Sequence, residues 1–481
     1  GRAALVEWAQ TAADVRFGDS PQEHSKQDED EQEAAWRADY AQPVRFEGAE
    51  HAASPRFAVG DPAALQYFKE HGYAIFSEVL EPAEVARARD LLWEFVESHT
   101  DGKVRRDYAV SWDSEEWPGD GGNSLFNVEG VGQSPLMWHV RTRPKVLGAF
   151  AQIWGLDRPE DLLVSFDRAS AFRPPSLEPT WRTRGSWFHV DQNGISTGSG
   201  FHCAQGLVAL YDNDASTGGL AVLPGSHQHH AELFKRWPLL RRNDFLILPR
   251  ADPLLSGDEA LPARILRVRA GDLAVWDSRC VHCNVPALHL FDEFPLDEAL
   301  AHTGISEVGA PLLREFTTVS DVCWAFNFHS AKGSLPDLLR DLGVEAQHIP
   351  CVTEALRVWA KDLATELQEA GKPGGGGAAL LSRAVAYVCA TPRSLASRET
   401  LRRRVRAALM GGTTTHWPHK VVGLHTCASK RYLESIRKLP PVALRLIGCE
   451  GDTQEAMLDD LYSAWREVRD EDVGAAGPEG E

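Results

Sequence analysis

A chain of 481 residues can bury a large core, and 43 % hydrophobic with 25 % charged residues is the balance of a soluble globular protein. A formal net charge of −19 argues against non-specific binding to nucleic acid and against anionic membrane surfaces, because both require basic patches. Eight cysteines are too sparse for a disulfide scaffold and no apolar run is long enough to cross a membrane, so the cytoplasm or another reducing compartment is expected. The first residue is Gly rather than Met, and a targeting segment ahead of it would escape this reading.

Residues 1–58 are polar and irregular, with an acidic run at Asp28-Glu29-Asp30-Glu31, and read as a poorly ordered extension. Asp61 followed by Pro62 predicts a capped helix that ends at Gly72, with a short strand at Tyr73–Phe76. Pro82 opens a second helix to about His99, whose core stripe is Val85, Ala88, Leu92 and Phe95. Loops are expected from Gly102 to Gln133, then a helix at Pro144–Trp154 and a strand at Leu162–Phe166. The segments WFHV, GLVALYDN, LAVLPGS, FLILP, ARILRVR and DLAVWD read as successive short strands separated by Gly, Asn, Asp and Pro. Such a series suggests a β-sandwich or jelly-roll barrel of the cupin kind. Residues 287–377 form a helical insertion, a lid by hypothesis, ending in the flexible connector Gly-Lys-Pro-Gly-Gly-Gly-Gly. SRAVAYVCATP then reads as a strand, Ser397 caps a helix ending at Gly411, and a last helix spans Thr453 to Val468 before a disordered tail from Asp470. Three parts follow: residues 1–58, a main domain over 59–420, and a helical extension over 421–481.

The chemistry concentrates in WFHVDQNG, where His189 and Asp191 stand two residues apart. On a strand, residues i and i+2 share a face, so both side chains reach one metal ion. His282 in WDSRCVHCN supplies a third ligand, completing a 2-His-1-carboxylate set that leaves metal positions open. With 18 histidines in the chain, spacing alone would be weak evidence; the flanking apolar strands and the intervening GGLAVLPGSH turn strengthen it. Together with FKEHGYAIF, LLVSFD, WDSRCVH and the late RAVAYVCATPR, this pattern resembles the phytanoyl-CoA dioxygenase family of Fe(II)/2-oxoglutarate-dependent oxygenases over roughly Val59 to Lys420.

The resemblance implies a mainly β fold with flanking helices (α+β) around a double-stranded β-helix. It implies Fe(II) on His189, Asp191 and His282, with 2-oxoglutarate and dioxygen as cosubstrates. It also implies hydroxylation of a small organic molecule as 2-oxoglutarate decarboxylates to succinate and carbon dioxide. Related halogenases carry a small residue in place of the carboxylate, so Asp191 favours hydroxylation. The family's arginine for the distal carboxylate usually lies about ten residues past the second His, and PALHLFDEFPLDE holds none. Arg383 is the expected replacement, since a guanidinium fork binds carboxylate bidentately; Arg314 is the weaker alternative.

Gln205 and Asn284 are expected to donate hydrogen bonds to the cosubstrate. If one strand ran through Trp276 to His282, alternation would place Trp276 and Cys280 on the His282 face and turn Arg279 and Cys283 away. Cys280 and Cys283 read as buried thiols, His227, His229 and His230 as a solvated loop, and Arg398–Arg406 as a solvated basic helix face. A non-catalytic jelly-roll binding module, or a cupin-type metal enzyme without 2-oxoglutarate, stands as the alternative function. No helix shows an oligomerisation seam.

Overall fold

The computed structural model describes residues 54–475 except 113–114, 120–123, 175–180, 182, 184, 186, 196, 215–216, 238–244, 250, 287–295, 297–299, 301–303, 315–321, 323–334, 359–380, 413–416 and 420–431. The acidic N-terminal run and the glycine-rich connector lie outside the described residues. Among the described residues no helix is long and apolar enough to cross a membrane.

The first helix, α1 (Pro62–His71), has the local chemistry that the sequence prescribes. Asp61 accepts from Ala63 N, Pro62 opens the first turn, and Gly72 closes the helix at φ 78°. The chain then enters β2 (Tyr73–Phe76). One strand precedes it: β1 (Arg56–Phe57) pairs parallel with β2, so regular structure begins ahead of Asp61. The cause is long-range. Arg56 forms a two-pronged ion pair with buried Asp272 at 2.7 and 2.8 Å, drawing β1 onto the sheet edge. Helix α2 (Pro82–His99) buries Val85, Ala88 and Leu92 as expected, but Leu91, Trp93 and Val96 complete its core face while Phe95 is only half-buried. A helix that sequence reasoning missed, α3 (Pro135–Arg141), is capped by Ser134 and precedes α4 (Pro144–Trp154).

The remaining strands form two sheets. They are β3 (Leu162–Val164), β4 (Ala169–Phe172), β5 (His189–Val190), β6 (Ala204–Ala209), β7 (Gly219–Val222), β8 (Leu246–Ile247), β9 (Arg264–Ile265), β10 (Leu273–Asp277), β11 (His282–Val285), β12 (Arg383–Tyr387) and β13 (Ala390–Pro392). The larger sheet runs β1-β2-β10-β6-β12-β4, with β13 joining β3 to β6; the smaller runs β8-β5-β11-β7-β9. Between β4 and β12 the chain crosses repeatedly from one sheet to the other, with β7, β8 and β9 staying in the smaller one, as in a double-stranded β-helix.

Alternation along each strand separates the layers. Between the sheets lie Tyr73, Ile75, Leu207, Ala209, Leu220, Val222, Ala274, Trp276 and Val385. The opposite face of the larger sheet packs Ala204, Val208, Leu273, Val275, Ala384 and Ala386 against the helices. Ala221, Leu223, Ile265, Cys283 and Val285 back the smaller sheet. Within the helical insertion, Leu300, Leu312, Leu335, Leu339, Val352 and Leu356 belong to a cluster of their own.

Two strand expectations change. The stretch from Leu273 to Val285 is two strands in different sheets, broken by a turn at Ser278-Arg279-Cys280 that Asp277 holds through Arg279 at 2.6 and 3.0 Å. Parity therefore does not carry from Trp276 to His282. SRAVAYVCATP likewise divides into β12 and β13.

Beyond β13, Ser397 caps α5 (Arg398–Leu409) by accepting from Thr400 N. Two more helices, α6 (Pro441–Ile447) and α7 (Gln454–Ala475), join the core behind the larger sheet. Helix α7 continues through Asp470 to Ala475, where a tail was expected. The basic residues of α5 divide: Arg398 and Arg403 are exposed, as expected, whereas Arg402 and Arg404 turn toward the protein. Arg402 pairs with Asp460 at 2.9 Å and Glu467 at 2.6 Å on α7. Arg404 is fully buried and donates to the carbonyls of Val164, Pro418, Leu446 and Ile447 at 2.7 to 3.0 Å. Removing its guanidinium takes a buried donor from four carbonyls. Arg404→Met should cost about 3 kcal/mol or more, read as a lower urea midpoint at unchanged slope.

Candidate metal centre

The smaller sheet builds the site by pairing. His189 on β5 and His282 on β11 are cross-strand partners, and their rings lie 4.2 Å apart between centroids. Asp191 follows directly after β5, its amide held by the carbonyl of Ser278 at 3.1 Å. One ligand atom from each of the three lies within 4.8 Å of the others, and all three residues are buried. The carboxylate bridges the imidazoles: Oδ1 is 3.4 Å from His189 Nε2, and Oδ2 is 3.2 Å from His282 Nε2.

The donor chemistry fits a metal ion. His189 Nδ1 faces the carbonyl of Trp187 at 3.2 Å, and His282 Nδ1 faces that of Cys280 at 2.9 Å. A carbonyl only accepts, so the ring proton belongs on Nδ1 and the Nε2 lone pair turns toward Asp191. Burial first, and the neighbouring His189 second, push the His282 imidazole below its ordinary value and keep it a neutral ligand. On the remaining side Gln205 reaches across from β6, its Nε2 donating to Asp191 Oδ2 at 2.8 Å.

The other expected residues divide. Trp276 reaches His282 from the opposite sheet, with ring centroids 5.2 Å apart. Asn284 lies two residues along β11 from His282 and donates to the Tyr387 hydroxyl at 3.2 Å. Arg383 opens β12 on the same inward face as Val385 and Tyr387. It is 2 % exposed, stacks its guanidinium 3.7 Å over Phe172, and donates to Thr183 Oγ1 at 2.8 Å and to the carbonyl of Thr217. Burial pulls it down to about 9, still charged at neutral pH, and among the described residues no carboxylate pairs with it. The GG of the turn motif has its reason here. Gly218 has φ +74°, and a Cβ on it would strike Arg383 Nη1 and the carbonyl of Val285. The Arg314 side chain lies outside the described residues.

Cys280 and Cys283 are both buried, as expected, while Arg279 is committed to Asp277 and to the carbonyl of Ser199 at 2.8 Å. The histidines after the turn differ from expectation. His229 is exposed, but His227 is buried against the carbonyl of Lys69 at 3.1 Å. His230 is buried behind the metal loop, with Nε2 2.8 Å from the carbonyl of Gln192 and Nδ1 3.2 Å from Ser199 Oγ. Sequence reasoning also missed Trp187, which stacks on His189 at 4.4 Å, and Phe245, 41 % exposed and edge-on to the same ring at 6.4 Å. The signal for Trp187 was an aromatic side chain two residues before His189; Phe245, far from the motif along the chain, carried none.

Residues 68–283 match the model of the family described as phytanoyl-CoA dioxygenase (PhyH). This part of the chain is similar to the phytanoyl-CoA dioxygenase family. The match runs from α1 past all three candidate metal ligands and stops ahead of Arg383. A curated relative, "Ava biosynthesis cluster protein O" of Aspergillus versicolor, is 27 % identical over 228 residues, covering 45 % of this chain and 69 % of its own. Among solved structures, the non-heme alpha-ketoglutarate-dependent carbocyclase SnoK from nogalamycin biosynthesis is 20 % identical, covers 49 % of this chain and 82 % of its own, and has a TM-score of 0.33. AviO1 from Streptomyces viridochromogenes is 18 % identical, covers 48 % and 90 %, and has a TM-score of 0.32. The fold assignment rests on the two sheets and their alternation.

His230 gives the loop an acid limit. Burial depresses its folded value to about 4, against 6.5 for an exposed histidine. Between these values the unfolded chain binds a proton that the folded chain refuses, so stability rises with pH. His230 should contribute fully above pH 6.5, with up to about 3 kcal/mol lost as pH falls toward 4. Urea unfolding across that range, compared with His230→Gln, checks it; the variant should show the shallower loss.

Proposed function

We propose that the chain is an Fe(II)- and 2-oxoglutarate-dependent dioxygenase. It hydroxylates a small organic substrate as 2-oxoglutarate decarboxylates to succinate and carbon dioxide. The observation that carries this reading is the pairing of the buried triad with a charged arginine in one barrel, the triad's Nε2 and carboxylate atoms converging and Arg383 lacking a carboxylate partner among the described residues.

Iron bound at His189, Asp191 and His282, with the two cosubstrates, would supply the oxidising chemistry. The rest belongs to the protein. Trp187 and Cys280 fix the imidazole tautomers through their carbonyls, and Gln205 orients Asp191. Arg383 binds the distal carboxylate of 2-oxoglutarate in the barrel interior, where low dielectric strengthens the pair. Phe172 and Thr183 hold its guanidinium in place. Asn284, steadied by Tyr387, stands between His282 and the Arg383 strand as a donor to the cosubstrate. Asp191 occupies the ligand position that a halide would need, which supports hydroxylation over halogenation. Trp187 and Phe245 offer the substrate an apolar approach to the metal face.

Anaerobic titration of the metal-free protein with Fe(II), then 2-oxoglutarate, should raise the visible charge-transfer band of the chelate. Asp191→Ala should raise none. A folded wild-type protein without the band would refute the oxygenase reading. Removing the arginine charge separates the cosubstrate from the metal: Arg383→Gln should retain Fe(II) but require about a hundredfold more 2-oxoglutarate for the same band. Arg383→Lys should recover only part of that loss.

A further inference from the structure

The larger sheet brings two more polar side chains to the metal ligands. Trp276 on β10 and Gln205 on β6 are direct cross-strand partners, so their Cβ atoms stand about 5 Å apart. Both lie on the barrel side, 4 % and 1 % exposed. The Trp276 ring packs on His282, and the Gln205 amide nitrogen is tied to Asp191. Each keeps one buried polar atom without a hydrogen-bond partner among the described residues: indole Nε1 of Trp276 and amide Oε1 of Gln205.

Buried polar atoms are rarely left unpaired, since each then bears its desolvation cost uncompensated. Turning the amide round would not relieve Gln205. Asp191 as a carboxylate only accepts, so the amide nitrogen must face it and the oxygen is the group left over. The orphans are complementary, because the indole N–H only donates and the amide oxygen only accepts. A ligand that satisfies both must accept one hydrogen bond and donate another. A hydroxyl group does so; a carboxylate has no proton to give, and a hydrocarbon has neither function.

We propose that Trp276 and Gln205 form a recognition site for a hydroxyl group of the substrate, held beside His282 and Asp191. The substrate is then an alcohol whose hydroxyl-bearing carbon sits close to the carbon that reacts, with Trp187 and Phe245 flanking its apolar skeleton. The inference rests on the preceding reading only in placing the reacting end of the substrate in this barrel.

The test uses the full chain loaded with Zn(II), a redox-inert ion, and carrying 15N-labelled indoles. Trp276→Phe assigns the Trp276 N–H resonance by its disappearance. Cyclohexanol is compared with methylcyclohexane, and benzyl alcohol with toluene. The alcohols should move the Trp276 resonance downfield and bind about fivefold or more tightly than their hydrocarbon partners. That preference should fall to about one in Trp276→Phe and, independently, in Gln205→Met. A resonance that moves with neither member of a pair, or equally with both, overturns the proposal. So does a shift caused by 2-oxoglutarate alone, which would assign the pair to the cosubstrate. Nothing measured depends on iron or turnover. A charge-transfer band without an indole shift would remove only the hydroxyl site, and an indole shift without the band would leave a hydroxyl-binding barrel and remove the oxygenase.

Discussion

The pairing of His189 with His282 across β5 and β11 is the contact on which the site depends. Two imidazoles opposite each other on one face create a donor pair, and Asp191 closes it because the backbone leaves the strand directly after Val190. The arrangement is costly without a positive ion, since a buried carboxylate and two buried imidazoles lose hydration together. Carbonyls on both Nδ1 atoms and the Gln205 amide on Asp191 Oδ2 offset part of that cost and fix which atoms remain for a metal. These supports come from both sheets, so the centre is a property of the closed barrel.

Three buried arginines show how partner chemistry separates scaffold from site. Arg404 donates to four main-chain carbonyls and joins α5 to β3 and the helices after it. Arg141 donates to the carbonyls of Gly132 and Asp167 at 2.6 and 2.8 Å, binding α3 to the segment before β4. Arg383 has one carbonyl and one hydroxyl, faces the barrel interior, and occupies space that Gly218 keeps clear. Equal burial therefore carries different meaning in the three cases. Only the last looks onto the compartment that the metal ligands share.

The sequence reached as far as local chemistry and alternation extend. Asp61, Pro62, Gly72 and Ser397 mark helix ends because caps act through hydrogen bonds within a few residues. The inward set His189, Gln205, His282, Asn284 and Arg383 was accessible because strand alternation has a strict period of two. Parity failed between Trp276 and His282, where a turn without Gly or Pro is held by the Asp277–Arg279 pair. The four-residue strand β4, which pairs with the Arg383 strand, carries too little pattern to announce itself.

Sequence alone thus determined the candidate metal-ligating residues, their spacing, the kind of barrel that could hold them and the inward place of Arg383. It could not decide which side of α5 faces inward, that His227 and His230 are buried, or that Gln205 serves Asp191. Those outcomes depend on distant surfaces meeting: α7 against α5, α1 against the turn after β7, β6 against the end of β5. Caps and alternation are written in neighbouring residues, whereas burial and hydrogen-bond partnership are decided by whichever remote segment arrives to exclude water.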